Sequence, residues 1–194
     1  MQEPKPSRTN RERTETTRQA LLVAARALFV SKGYGGTSTP DICASTSITR
    51  GALYHHFTDK RDLFRHVLMR ESEAVTADIV AATPVDLLPR DALIAGGEAY
   101  LKAMAVAGRT RLLLIDGPAV LGMAEIIAMD EANAADTLRE GLLAAIPDAD
   151  SISINALSSL LSAAFDRAAL EIDAGTDPGE VRAAMHWLLD KMLA

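Results

Sequence analysis

The side chains best able to do chemistry lie close together in one short stretch. His55, His56 and Asp59 are near neighbours, with Arg50, Tyr54 and Lys60 around them and Cys43 just before. Histidine titrates near neutral pH and ligates metals, so a metal site or an acid-base pair is the first chemistry to weigh. Adjacent residues on a helix point about 100° apart, which keeps His55 and His56 from sharing one ion, and no metal site is expected. His66 and His186 stand alone and read as surface or packing residues. Cys43 follows Ile42 on an inward-looking stretch and reads as a small buried side chain rather than a redox sensor. Glu98 and Asp116 could be the carboxylates of a small all-α enzyme. No nucleophile and base, and no recognisable cofactor loop, accompany them, so neither catalysis nor a cofactor is expected.

Charge points elsewhere. The chain of 194 residues carries a net charge of −6, which by itself argues against a polyanionic partner. Residues 1–70, however, hold 12 Lys or Arg against 6 Asp or Glu, net +6, leaving 8 basic and 20 acidic residues, net −12, for 71–194. A basic module on an acidic body is the pattern of a nucleic-acid binder. One cysteine allows no intrachain disulfide and no cysteine-based zinc site. The polar first twenty residues resemble no signal peptide, and no apolar run of about 18 residues follows, so a cytoplasmic protein without a membrane partner is expected.

The elements that must position these residues read as helices throughout, because apolar residues recur every three or four positions and sustained alternation is absent. A disordered basic tail is expected for residues 1–14, a DNA-binding domain for 15–70 and a larger domain for 71–194. Leu21, Ala24, Ala25, Leu28 and Phe29 line the first helix, which Gly33 can stop in a left-handed conformation. Ser38 and Asp41 form a capping-box start for a short helix at 39–45, and Thr49 caps another reaching about 55. Asp59 and Asp62 open a long fourth helix to about 82. Beyond Pro84 and Pro89, helices are expected near 91–107, 109–116, 122–146, 151–174 and 178–193, the last opened by Asp177-Pro178-Gly179-Glu180. That makes about nine helices in an all-α fold.

Two short helices joined by a brief turn in a basic segment describe a helix-turn-helix, whose second helix enters the major groove. The string TSTPDICASTSITRGALYHHFTDKRDLF at 37–64, with LFVSKGYGG before it, resembles the DNA-binding signature of the tetracycline-repressor (TetR/AcrR) family, over about a quarter of the chain. The resemblance implies that Thr49 opens the recognition helix, with Arg50 and Gly51 facing the groove and Arg50 reading a base. It implies phosphate or base contacts for Tyr54 and His55, and backbone contacts for Ser38, Thr39 and Lys60. An ammonium at Lys60 opposes the helix dipole, which a phosphate alongside would offset. Where the family's turn usually has glycine, this sequence has Ser47, so a left-handed backbone there costs about 1 kcal/mol.

The resemblance further implies that the acidic half binds a small-molecule effector and dimerises through its last two long helices. Leu157, Leu161 and Phe165 stripe one of these, and Val181, Met185 and Leu188 the other, although such stripes bury a core first. Tyr100, Met104, Leu112, Ile115, Met123 and Ile127 could line the effector pocket, with Glu98 or Asp116 as polar anchors. The expected partners are a palindromic double-stranded operator, a second copy of the chain and an unidentified small molecule, in a repressor that the ligand releases. An activator or an effector-independent regulator fits the same residues.

Overall fold

The computed structural model describes residues 10–131, 134–146 and 153–193, and these contain helices and no strand. Ten α-helices run in chain order: α1 (Asn10–Gly36), α2 (Thr39–Thr46), α3 (Arg50–His56), α4 (Lys60–Ala82), α5 (Pro89–Met104), α6 (Gly117–Leu121), α7 (Met123–Glu131), α8 (Ala134–Ala145), α9 (Ile154–Asp173) and α10 (Pro178–Met192). A π-helical segment, Arg111–Asp116, precedes α6. Two compact units, Met1–Val67 and Leu68–Ala194, divide within α4.

Residues 10–14, expected in a disordered tail, are instead the first turns of α1, and the rest of that tail lies outside the described residues. Hydroxyls of Thr14, Thr16 and Thr17 donate to the carbonyls of Asn10, Glu12 and Arg13, and Gln19 donates to Glu15 one turn back. These local bonds carry the helix outward past its apolar stripe. Gly33 takes φ 72°, as its place at the end of the stripe predicts, but helix resumes as far as Gly36. The buried Thr37 hydroxyl then bonds the carbonyls of Leu28 and Gly33 at 3.1 and 2.9 Å.

Leu21, Ala25 and Phe29 from α1 meet Ile42, Leu53, Phe57, Leu63 and Phe64 in the core of the first unit. Phe29 and Phe64 pack edge to face with centroids 5.0 Å apart, and Tyr34 lies against both rings. Burying a phenylalanine contributes about 2–3 kcal/mol, enough for this small cluster to fix the platform that carries α2 and α3.

In the second unit α5 packs on α8 and α9, and α9 on α10. Gly97 permits the closest approach, since a Cβ there would stand 2.6 Å from the Phe165 ring. One expected helix is redrawn. In place of a helix at 109–116, Gly117 donates to the carbonyl of Leu112, five residues back, in the wide turn that leads into Pro118, which has no N–H of its own. Gly122, where a long helix was expected to start, turns at φ 88°, and the described residues of 123–145 are helical as α7 and α8, with residues 132 and 133 outside the described residues. A buried ion pair, Arg109 to Glu71 at 3.0 Å, holds the turn before the π segment, with Arg109 also donating to the carbonyl of Ala103.

Candidate nucleic-acid interface and ligand cavity

Local chemistry builds the α2–α3 pair. The Ser38 hydroxyl accepts from the Asp41 N–H at 3.2 Å while the Asp41 carboxylate accepts from the Ser38 N–H at 3.1 Å, completing the capping box. Ser47 ends α2 at φ 58°, ψ 22°, the left-handed conformation that a glycine would take without strain. Thr49 then caps α3 by accepting from the Ala52 N–H at 3.2 Å.

On this frame Arg50, Gly51, Tyr54 and His55 are exposed. The Arg50 guanidinium lies 5.8 Å from the centre of the Tyr54 ring, and the Tyr54 hydroxyl is 3.3 Å from the Thr39 hydroxyl. Hydrogen bonding to Thr39, and then to Arg50, draws the Tyr54 phenol below its usual value. A Cβ on Gly51 would meet nothing nearer than the Thr49 hydroxyl at 4.0 Å, so the chain's own packing does not demand glycine there. The space is left for whatever approaches the first turn of α3. His56 is half-buried, and burial, then the neighbouring His55 and Arg18, lower its pKa from the usual value.

Lys60 has a different setting from the one expected. Its Nζ donates to the carbonyls of Tyr34 at 2.9 Å and Thr37 at 3.0 Å, and sits 4.0 Å from the centre of the Tyr34 ring. These partners satisfy the ammonium within the protein and offset its opposition to the α4 dipole without a phosphate.

The second unit holds two neighbouring cavities of about 510 and 790 Å³ that share Tyr100, Asp130 and Ser162. Four residues expected in the pocket, Tyr100, Met104, Met123 and Ile127, line the larger one. The other four lie elsewhere. Glu98 turns to α10, 2.8 Å from His186 and 3.4 Å from Arg182. Asp116 pairs with Arg111 at 3.5 Å, Leu112 is buried and Ile115 is exposed. The wide turn of the π segment shifts the helical register, so Leu113 and Leu114 face the larger cavity in their place. Sequence reasoning also missed Asp166, whose Oδ1 accepts from the Tyr100 hydroxyl at 2.5 Å. Burial raises the Asp166 carboxyl pKa while the Tyr100 bond opposes that rise, and burial followed by the Asp166 charge keeps the Tyr100 phenol protonated. The available signal was an acidic residue directly after Phe165 in the apolar stripe of α9.

Of the six residues expected at a dimer face, Leu161, Phe165 and Met185 are in the core, Leu157 and Val181 pack against it, and Leu188 alone is exposed. The stripes bury the unit's own interior before any partner.

Two family models match the chain: bacterial regulatory proteins of the tetR family over residues 21–67, and the tetracyclin repressor-like C-terminal domain over residues 90–194. The chain is 40% identical over 63 residues to the HTH-type transcriptional repressor BepR of Brucella suis, covering 32% of this chain and 30% of that protein. It is 39% identical over 61 residues to the HTH-type transcriptional regulator AcrR of Shigella flexneri, covering 31% and 28%. The chain thus matches under a third of the length of these two relatives. A TetR-family transcriptional regulator from Pectobacterium atrosepticum has the same fold at 29% identity and a TM-score of 0.74, with 96% of each chain covered. One from Syntrophomonas wolfei does so at 15% identity and a TM-score of 0.78, covering 92% and 95%. With the C-terminal model alone spanning more than half of its length, the chain belongs to the tetR family of bacterial regulatory proteins.

Proposed function

We propose that the chain is a sequence-specific DNA-binding transcriptional repressor that acts in the cytoplasm as a homodimer on a palindromic operator and is released by a small-molecule effector. The observation that carries this reading is the first turn of α3. Arg50 and Gly51 are exposed there, beside Tyr54, and the fold does not need the glycine. Free N–H groups at a helix start suit phosphate, and a guanidinium can bond two acceptors on guanine at once. Ser38, Thr39, Thr49 and His55 flank this turn as backbone contacts. The net charge of +6 over residues 1–70 supplies the local positive potential. A cavity that pairs apolar side chains with hydroxyl, amide and charged groups is the kind of site that takes a small effector. Leu160, Trp187 and Leu188 are large, apolar and exposed on α9 and α10, and they supply the dimer face.

Fluorescence anisotropy with DNA from the regions flanking the gene tests the reading. An inverted repeat should bind in preference to random duplex, with affinity falling steeply as salt rises. Arg50→Ala should weaken binding to that repeat by about 10- to 100-fold, the worth of one bidentate base contact, and leave binding to random duplex nearly unchanged. Unchanged affinity for both would remove Arg50 as the base reader.

A further inference from the structure

Asp166 is a half-buried carboxylate on the wall of the larger cavity, and among the described residues it has no ion-pair partner. Its one hydrogen bond comes from Tyr100, which orients Oδ1 and leaves Oδ2 without a donor among the described residues. Partial burial already disfavours the charge of a carboxylate without a cation, so a ligand that brings a cation gains more here than one that does not. The rest of the lining has the same sign: the two cavities together carry Asp130, Glu140 and Asp166 against Arg139, and Asp130 and Arg139 each have partners of their own. The remaining wall mixes apolar side chains, Met104, Met123, Ile126 and Ile127 among them, with Asn155 and four serines, and Tyr100 adds an aromatic ring beside the carboxylate.

We propose that the effector is an organic cation, a protonated amine on an apolar body, which donates its N–H groups to Asp166 while the body fills the space walled by Met104, Met123, Ile126 and Ile127. This deepens the effector-released reading above and rests on it. Tyr100 is the positioning residue: its hydroxyl fixes the carboxylate and its ring offers a face to the ammonium.

The test uses the full chain and three probes of one chain length below their micellar concentrations: decylamine, decanol and decanoate, with binding read by isothermal titration calorimetry. Decylamine should bind at least about tenfold more tightly than either of the others, as a hydrogen bond to a charged group is worth. Asp166→Asn should abolish that preference and leave decanol binding in place, which also shows that the cavity is intact. Tyr100→Phe, which keeps the carboxylate and the ring but frees Oδ1, should weaken the preference without abolishing it. Equal binding of decylamine and decanol by the unaltered protein, or decanoate binding tightest through Arg139, would overturn the proposal. So would a decylamine preference that survives Asp166→Asn. Operator release is measured separately: decylamine that binds through Asp166 and leaves the DNA complex whole supports the ligand class and sinks the release reading.

Discussion

Ser47 holds the positive φ that joins the two short helices, the one non-glycine residue to do so among the described residues. In an L-residue this conformation brings Cβ against the following carbonyl at a cost of about 1–2 kcal/mol. Glycine removes that contact but loses more freedom on folding, so the two effects partly cancel. Ser47→Gly should therefore raise stability by about 0.5–1 kcal/mol, an increase of about 1–4 °C in melting temperature for a chain of this length. Circular dichroism melts would show it, and a lower melting temperature would mean that the serine makes a contribution the strain argument lacks. The neighbouring turn needs no such allowance. Thr46 accepts from the Ile48 N–H, and Thr49 caps the next helix, so the strain is confined to one residue of the connection.

Between elements, the side chain with the most to say is Lys60, the first residue of α4, whose ammonium ties the carbonyls of Tyr34 and Thr37. Replacing it by methionine keeps the stem and removes two charged hydrogen bonds. Lys60→Met should reduce stability by about 1–3 kcal/mol in urea unfolding. An unchanged midpoint would return the ammonium to the role expected from the sequence, a free contact for phosphate. This contrast marks what the sequence makes legible. Ser38 with Asp41, Thr49 with Ala52, and Asp177 with Glu180 are partners three residues apart, so their caps could be read directly from spacing. Lys60 lies more than twenty residues from its acceptors, and Glu98 far from Arg182 and His186, so no local pattern announces them. The π segment defeats periodicity in another way. A wide turn changes which side chains share a face, and Leu113 and Leu114 line the cavity where Leu112 and Ile115 were expected.

For the molecule as a whole, the proposed homodimer on two half-sites needs an apolar surface to form it. Leu161, Phe165 and Met185 are already spent on the interior, whereas Leu160 and Trp187 are 71% and 63% exposed and Leu188 is 40% exposed. A tryptophan in water on a terminal helix marks an interface more often than it serves the fold, because its large apolar area contributes nothing until covered. Trp187→Glu should leave the helical signal intact and weaken self-association by about 30-fold or more, as loss of a central aromatic anchor does. Leu161→Ala should act in the opposite sense, lowering stability by about 2–5 kcal/mol through a cavity in the core while the dissociation constant of the folded dimer changes little. Sedimentation equilibrium read beside thermal melts separates the two. If Trp187→Glu sediments as the unaltered protein does, the dimer face lies elsewhere on the second unit. If it sediments as a monomer, its affinity for an inverted repeat should fall to about that for a single half-site, since two weak contacts then no longer act as one.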